Sequence, residues 1–229
     1  MYGALLGAVV AALVSARIAR VKSARMLDLS APALAAFLIS ARLGEAFTSL
    51  GISRPLTTGW LAGSFLATRG DYDAYLRTWL LEAIAALVIL LLLLRRLKAA
   101  GRDGRVFTLA CLLYAVTQTL FESLRNDGHL SYGFIKVHQV ASAVLLAGVL
   151  VFLSVRLLKN HREKKFLPVL TLSLLPLVLG GLIGVEFMLD RSTLGKLISY
   201  AAFLAVLAIP LTLGLMLYRQ EAGVGQGTD

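Results

Sequence analysis

Arg42, Glu45, Glu82, Glu122 and Glu186 stand inside segments that are otherwise apolar enough to cross a bilayer. An ionised group in hydrocarbon costs kilocalories, so such residues face a bundle interior, a partner or a polar cavity. A guanidinium there is a fork for an anionic group, and a carboxylate can orient it or accept a proton. Together they predict a polar chamber inside a helical bundle. A plainer role is open to each. Arg42 and Glu45, three residues apart, can pair along one helix. Glu82 can serve an interhelical structural pair, and Glu186 is expected to be solvated near an interface.

The 229-residue chain is 58% hydrophobic, against about 45–50% in soluble domains. Apolar runs fall near 2–18, 29–50, 75–94, 106–124, 134–155, 167–189 and 195–218. Most approach the ~20 residues that span ~30 Å of hydrocarbon. The expectation is an all-α polytopic membrane protein with about seven transmembrane helices. The one cysteine, Cys111, lies in an apolar run and reads as a small packed residue. No metal and no cofactor is expected. The net charge of +10 would suggest nucleic acid in a soluble protein. Here the basic residues cluster between apolar runs, so they report topology and anionic lipid, and no nucleic acid is expected. No signal peptide is evident, since MYGALLGAVVAALVSAR has no basic residue ahead of its apolar run.

The first basic loop holds Arg17, Arg20, Lys22 and Arg25, and the next Arg95, Arg96, Lys98, Arg102 and Arg105. The third holds Arg156, Lys159, Arg162, Lys164 and Lys165. The positive-inside rule then places the N-terminus outside and the C-terminus in the cytoplasm. Depth follows from ~1.5 Å of rise per residue. Arg42 lies ~20 Å above the inner face, Glu82 ~10 Å below the outer face and Gln118 ~18 Å above the inner face. In a ~30 Å core these three share a level in the outer half.

Tyr114, Gln118, Glu122 and Arg125 recur at spacings of four and three, so they form one stripe of a helix. That stripe, YAVTQTLFESLR from Tyr114 to Arg125, resembles a signature of the bacterial prolipoprotein diacylglyceryl transferases. Members of that family carry a tyrosine-glycine, an arginine, a glutamate four residues on and an arginine three further. The stretch DLSAPALAAFLISARLGEAF from Asp28 to Phe47 is similar to the family's run from an aspartate before Ala-Pro to a Gly-Arg-Leu-Gly-Asn-Phe core. YGALLG from Tyr2 is similar to its His-Gly-Gly-Leu opening, and WLLE ending at Glu82 to its Leu-Leu-Glu. The resemblance covers roughly residues 2–158, with order, spacing and topology in agreement.

The departures are specific. Tyr2 stands where the family has its histidine, Gln118 where it has an arginine, and Glu45 where it has the asparagine. The segment 51–74 is shorter than the family's periplasmic head, two family helices are missing at the N-terminus, and two helices are added at the C-terminus. The helix near 167–189 carries a Gly-Gly-Leu-Ile-Gly stretch from Gly180 to Gly184, faintly like the family's second helix. The added pair is expected to fill the two vacated positions. The expected organisation is a transferase-like core over 1–158, two further helices over 159–218 and a Gly-rich disordered tail over 219–229.

The resemblance implies transfer of a diacylglyceryl group from phosphatidylglycerol to a lipoprotein cysteine thiol, at the outer leaflet of a bacterial cytoplasmic membrane. A prolipoprotein signal peptide is the implied partner. A thiolate is the nucleophile, so a base or a positive field is required. The departing glycerol phosphate needs cationic or hydrogen-bond stabilisation. On that reading Arg42, Glu45, Glu82 and Tyr114 bind lipid, with Glu82 orienting Arg42. Glu122, Arg125, Gln118 and Tyr2 are the catalytic candidates, with Glu122 orienting Arg125. Tyr2 has a reference pKa near ~10, so His129 and His138 are added as candidate bases. Two other readings stay open. One is a homologue that binds lipid or lipoprotein without turnover. The other is a small transporter or assembly subunit whose carboxylates relay protons.

Overall fold

A computed structural model describes residues 2–48, 50–56, 62–70, 72–99, 103–126, 131–132, 135–160, 165–191 and 196–224. Among them are seven α-helices. These are α1 (Tyr2–Ile18), α2 (Ser23–Gly44), α3 (Thr78–Lys98), α4 (Arg105–Leu124), α5 (Val137–Asn160), α6 (Phe166–Arg191) and α7 (Lys196–Val224). Five helical stretches, Ser23–Phe47, Arg105–Leu124, Val137–Lys159, Phe166–Leu189 and Ile198–Glu221, are long and apolar enough to cross a membrane. The fold is that of an all-α polytopic membrane protein. α2 starts at Ser23, earlier than the apolar run suggests, because its basic first turns are helical too.

The chain forms two compact units: Met1–Ala110 with Phe121–His129, and Cys111–Leu120 with Leu130–Asp229. α4 contributes residues to both. α5 belongs with α6 and α7.

In the first unit α1 and α2 make a hairpin. Arg20 ends α1 with a left-handed backbone, φ 54°, and the Val21 N–H closes onto the Ala16 carbonyl at 3.0 Å. That closure satisfies a helix-end carbonyl. Ala12 and Ala16 are buried, and such small residues let helices approach closely. α2 packs along α3. Asp28, buried in α2, caps the start of α4. Its Oδ2 accepts from the Gly104 N–H at 2.6 Å and its Oδ1 from the Phe107 N–H at 2.8 Å. A carboxylate on the free N–H groups of a helix start satisfies donors and suits the helix dipole.

Between α2 and α3 the chain forms a small sheet that the all-α expectation did not contain. β1 (Ile52–Pro55), β2 (Ala67–Arg69) and β3 (Ala74–Arg77) are antiparallel in the order β1-β3-β2. Ile52 pairs with Arg77 and Pro55 with Tyr75, with an irregularity between, while Thr68 faces Tyr75. β3 runs directly into α3. A two-residue hairpin, β4 (Ser131–Tyr132) with β5 (Ile135–Lys136), precedes α5.

In the second unit α5, α6 and α7 enclose a core that includes Leu112, Leu146, Leu150, Leu153, Phe203 and Leu217. Cys111 packs against it as a free thiol, as expected of a small apolar residue. Arg156 on α5 pairs with the buried Glu221 on α7 at 2.7 Å. α7 stays helical through Val224, beyond the Arg219 where a disordered tail was expected. Residues 225–229 lie outside the described residues.

Candidate functional site

Arg42 occupies the last turn of α2 and is 5% exposed. After Gly44 the backbone tightens into a 3₁₀ turn, Glu45–Phe47. The Thr48 N–H and hydroxyl both donate to the Glu45 carbonyl, at 3.0 and 2.9 Å, and close that turn. The turn brings Glu45 back beside Arg42, whose Nη1 donates to Glu45 Oε1 at 2.6 Å. Gly51 follows with φ 72°. A Cβ there would lie 2.6 Å from Glu45 Oε2 and 2.7 Å from the Trp79 Cβ, so only glycine fits between them.

Two further residues close a ring. Arg42 Nε meets Glu82 Oε2 at 2.6 Å. Arg125 Nη1 donates to Glu82 Oε1 at 2.8 Å, and its Nη2 to Glu45 Oε2 at 3.0 Å. Each guanidinium therefore spans both carboxylates, and each carboxylate spans both guanidiniums. The side chains of Arg42, Glu82 and Arg125 are 6%, 3% and 1% exposed, and that of Glu45 18%. Alternation of sign makes such a cluster tolerable in an apolar bundle. Removing any member would strand a buried charge.

The sheet positions this ring. Arg125 ends α4 where the backbone becomes extended, φ −69° and ψ 145°. There it forms an antiparallel bridge with Ser53 of β1, and the Asn126 N–H donates to the Ile52 carbonyl at 2.9 Å. The Ser53 hydroxyl accepts from the Leu76 N–H on β3 at 2.9 Å. β3 leads into α3, whose second turn carries Glu82, and the Trp79 N–H donates to the Gly51 carbonyl at 3.0 Å. Backbone bonds thus tie the three helix ends that supply the ring.

Arg42 and Glu82, expected to lie within reach of each other, form an ion pair. The simpler Arg42–Glu45 pair also exists, as one side of a larger constellation. Glu122, 1% exposed, lies one turn before Arg125 on the same face of α4. Gln118 is 4% exposed and Tyr114 partly buried, in the stretch of α4 that belongs to the second unit. Tyr2 opens α1 half-buried. His138 lies in the first turn of α5, partly buried, and His129 lies outside the described residues.

Glu186 corrects an expectation. It is 9% exposed rather than solvated and accepts from Gln139 Nε2 on α5 at 3.0 Å. α6 runs on to Arg191, so Glu186 is inside the helix and faces a neighbour. Gly51, Ser53 and the capping role of Asp28 were not read from the sequence. Gly51, at the end of an apolar run before Ile-Ser, was the one turn signal available.

The two guanidiniums are held in fixed orientation, each by both carboxylates. A model described as prolipoprotein diacylglyceryl transferase matches residues 1–155. The chain is 29% identical over 175 residues to the phosphatidylglycerol–prolipoprotein diacylglyceryl transferase of Bacillus cytotoxicus, covering 73% of this chain and 64% of the relative. It is 29% identical over 154 residues to the protein of that name from Listeria welshimeri, covering 64% and 54%. The Listeria innocua protein of that name is 29% identical over 172 residues, covering 72% and 59%. The chain thus spans less than two thirds of the length of these relatives. No solved structure matches it. The motifs first noticed around Arg42, Glu82 and Arg125 all lie inside the matched region, and the chain belongs to the prolipoprotein diacylglyceryl transferase family.

Proposed function

We propose that this protein transfers a diacylglyceryl group from phosphatidylglycerol to the cysteine thiol of a prolipoprotein, at the outer leaflet of a bacterial cytoplasmic membrane. The observation that carries this reading is the ring of Arg42, Glu45, Glu82 and Arg125, of which Arg42, Glu82 and Arg125 match the family's motifs. The names of the relatives supply the donor and the acceptor.

In that reaction the cysteine sulfur attacks the glyceryl carbon that bears the phosphate ester. A carbon–sulfur bond forms, the carbon–oxygen bond breaks, and glycerol phosphate leaves with the electron pair. Arg42 and Arg125 stabilise the charge on the departing phosphate. Glu82 holds both guanidiniums in register, and Glu45 completes their neutralisation. Glu122 is buried one turn before Arg125. The thiol proton passes to a base, for which Tyr2 and His129 are the candidates the sequence offers.

Reconstitution with phosphatidylglycerol and a lipobox peptide tests this reading. The expected result is a diacylglyceryl thioether on the peptide cysteine, detected by mass spectrometry. A folded protein that leaves the peptide unmodified, beside an active family enzyme, overturns it.

A second reading rests on Glu45. Its two oxygens engage both arginines where the family has a neutral asparagine, and Gln118 stands where the family has a cation. A lipid-binding homologue without turnover fits those replacements. It predicts copurifying phosphatidylglycerol and no thioether.

A further inference from the structure

Glu45 is the accessible member of the ring. Its side chain is 18% exposed, while those of Arg42, Glu82 and Arg125 are 6%, 3% and 1% exposed. The neighbouring surface is open too: Gly44 and Ala46 are exposed, and Phe47 is 92% exposed. A group arriving at this rim meets a carboxylate before it meets a guanidinium. Two arginines and two glutamates also leave the ring neutral, so it exerts no net pull on a negative charge.

We propose that Glu45 selects the lipid by its headgroup donors, which makes it a specificity-determining residue of this site. The ligand class is a glycerophospholipid whose headgroup carries a hydroxyl or an ammonium. This rests on reading the ring as the lipid site. When a phosphate takes up guanidinium N–H groups, Glu45 loses part of its pairing. A buried or half-buried carboxylate left without donors is costly. A headgroup hydroxyl or ammonium restores the lost bonds, so that every charge stays paired through the exchange. Phosphatidic acid, a bare phosphomonoester with more negative charge, has no headgroup alcohol or ammonium and meets Glu45 with like charge. Phosphatidylcholine has a cation without an N–H.

The test is lipid binding, measured apart from turnover. The full chain is placed in phosphatidylcholine nanodiscs doped with phosphatidylglycerol, phosphatidylethanolamine or phosphatidic acid, and retained lipid is read by native mass spectrometry. The wild type is expected to prefer at least one donor-bearing lipid over phosphatidic acid by about tenfold or more, the scale of one charge-assisted hydrogen bond. Preference for phosphatidylglycerol identifies hydroxyl donors, and preference for phosphatidylethanolamine identifies ammonium. Glu45→Gln leaves the ring with a net positive charge and should bring phosphatidic acid level with or ahead of the others. Glu45→Asn provides a second variant of the same charge. Equal binding of phosphatidic acid by the wild type, or an unchanged preference in both folded variants, overturns the proposal. Donor selection without peptide modification would leave it standing and refute transfer. Transfer from phosphatidylglycerol with no Glu45-dependent preference would do the reverse.

Discussion

Glu82 Oε1 accepts from Arg125 Nη1 at 2.8 Å, joining the second turn of α3 to the residue that follows α4. The other oxygen of the same carboxylate meets Arg42 Nε at 2.6 Å. Glu82 is therefore the hinge of the ring. The sheet that carries β3 into α3, and bridges Ser53 to Arg125, fixes both ends of the bond.

Glu82→Ala leaves two buried guanidiniums sharing the single carboxylate of Glu45. The expected loss is about 3–5 kcal/mol, the scale for breaking a buried ion pair from one side. It should appear as a lower unfolding midpoint in detergent, with lost lipid protection. Glu82→Ala combined with Arg125→Ala should lose less than the sum of the two single changes, because the second removes part of the charge the first exposes. Strict additivity would show that the pair is not coupled.

Gly51→Ala forces an L side chain into a left-handed backbone and onto Glu45 Oε2. The backbone strain alone costs about 1–2 kcal/mol. Lower stability and a disturbed lipid preference are expected together. Gly44→Ala is the contrast, since a Cβ there meets nothing within 4 Å. In a helical position that change should be neutral or stabilising by up to about 1 kcal/mol. Thermal unfolding of the two variants side by side checks this.

Asp28→Ala removes the acceptor for the Gly104 and Phe107 N–H groups. A lost cap costs about 1–2 kcal/mol. Hydrogen exchange should quicken in the first turn of α4. Any transfer per folded molecule should persist, because Asp28 lies roughly 21 Å along α2 from Arg42.

Glu186→Leu leaves the Gln139 amide buried without its acceptor, at a cost of about 1–3 kcal/mol. Adding Gln139→Leu should recover most of that stability, since an apolar pair of similar size replaces a polar one. A folded double variant that cannot handle lipid would give the pair a role beyond packing.

The pairing of Arg42 with Glu82 was legible because both sit in regular helices whose far ends are marked by basic clusters. A constant rise per residue then converts sequence number to depth. The reach of Glu45 to Arg125 was not legible. It depends on a three-residue 3₁₀ turn, and such a turn redirects a side chain without altering hydrophobic periodicity. The strands around Ser53 and Tyr75 were missed for a similar reason. They are three to four residues long, too short for alternation to register. Glu186 was misread because its distance from the end of the apolar run was taken as exposure, whereas α6 continues and Gln139 faces it. The helices were legible from apolar length, and five of the described stretches are long and apolar enough to cross a membrane.

The most direct measurement is mass spectrometry of a lipobox cysteine peptide after incubation with the reconstituted protein and phosphatidylglycerol. The expected peptide carries a diacylglyceryl group on its cysteine. That product should disappear when the cysteine is replaced by serine, and in folded Arg42→Ala and Arg125→Ala proteins. An unmodified peptide from folded wild-type protein, or modification that survives loss of both arginines, would contradict transfer at this ring.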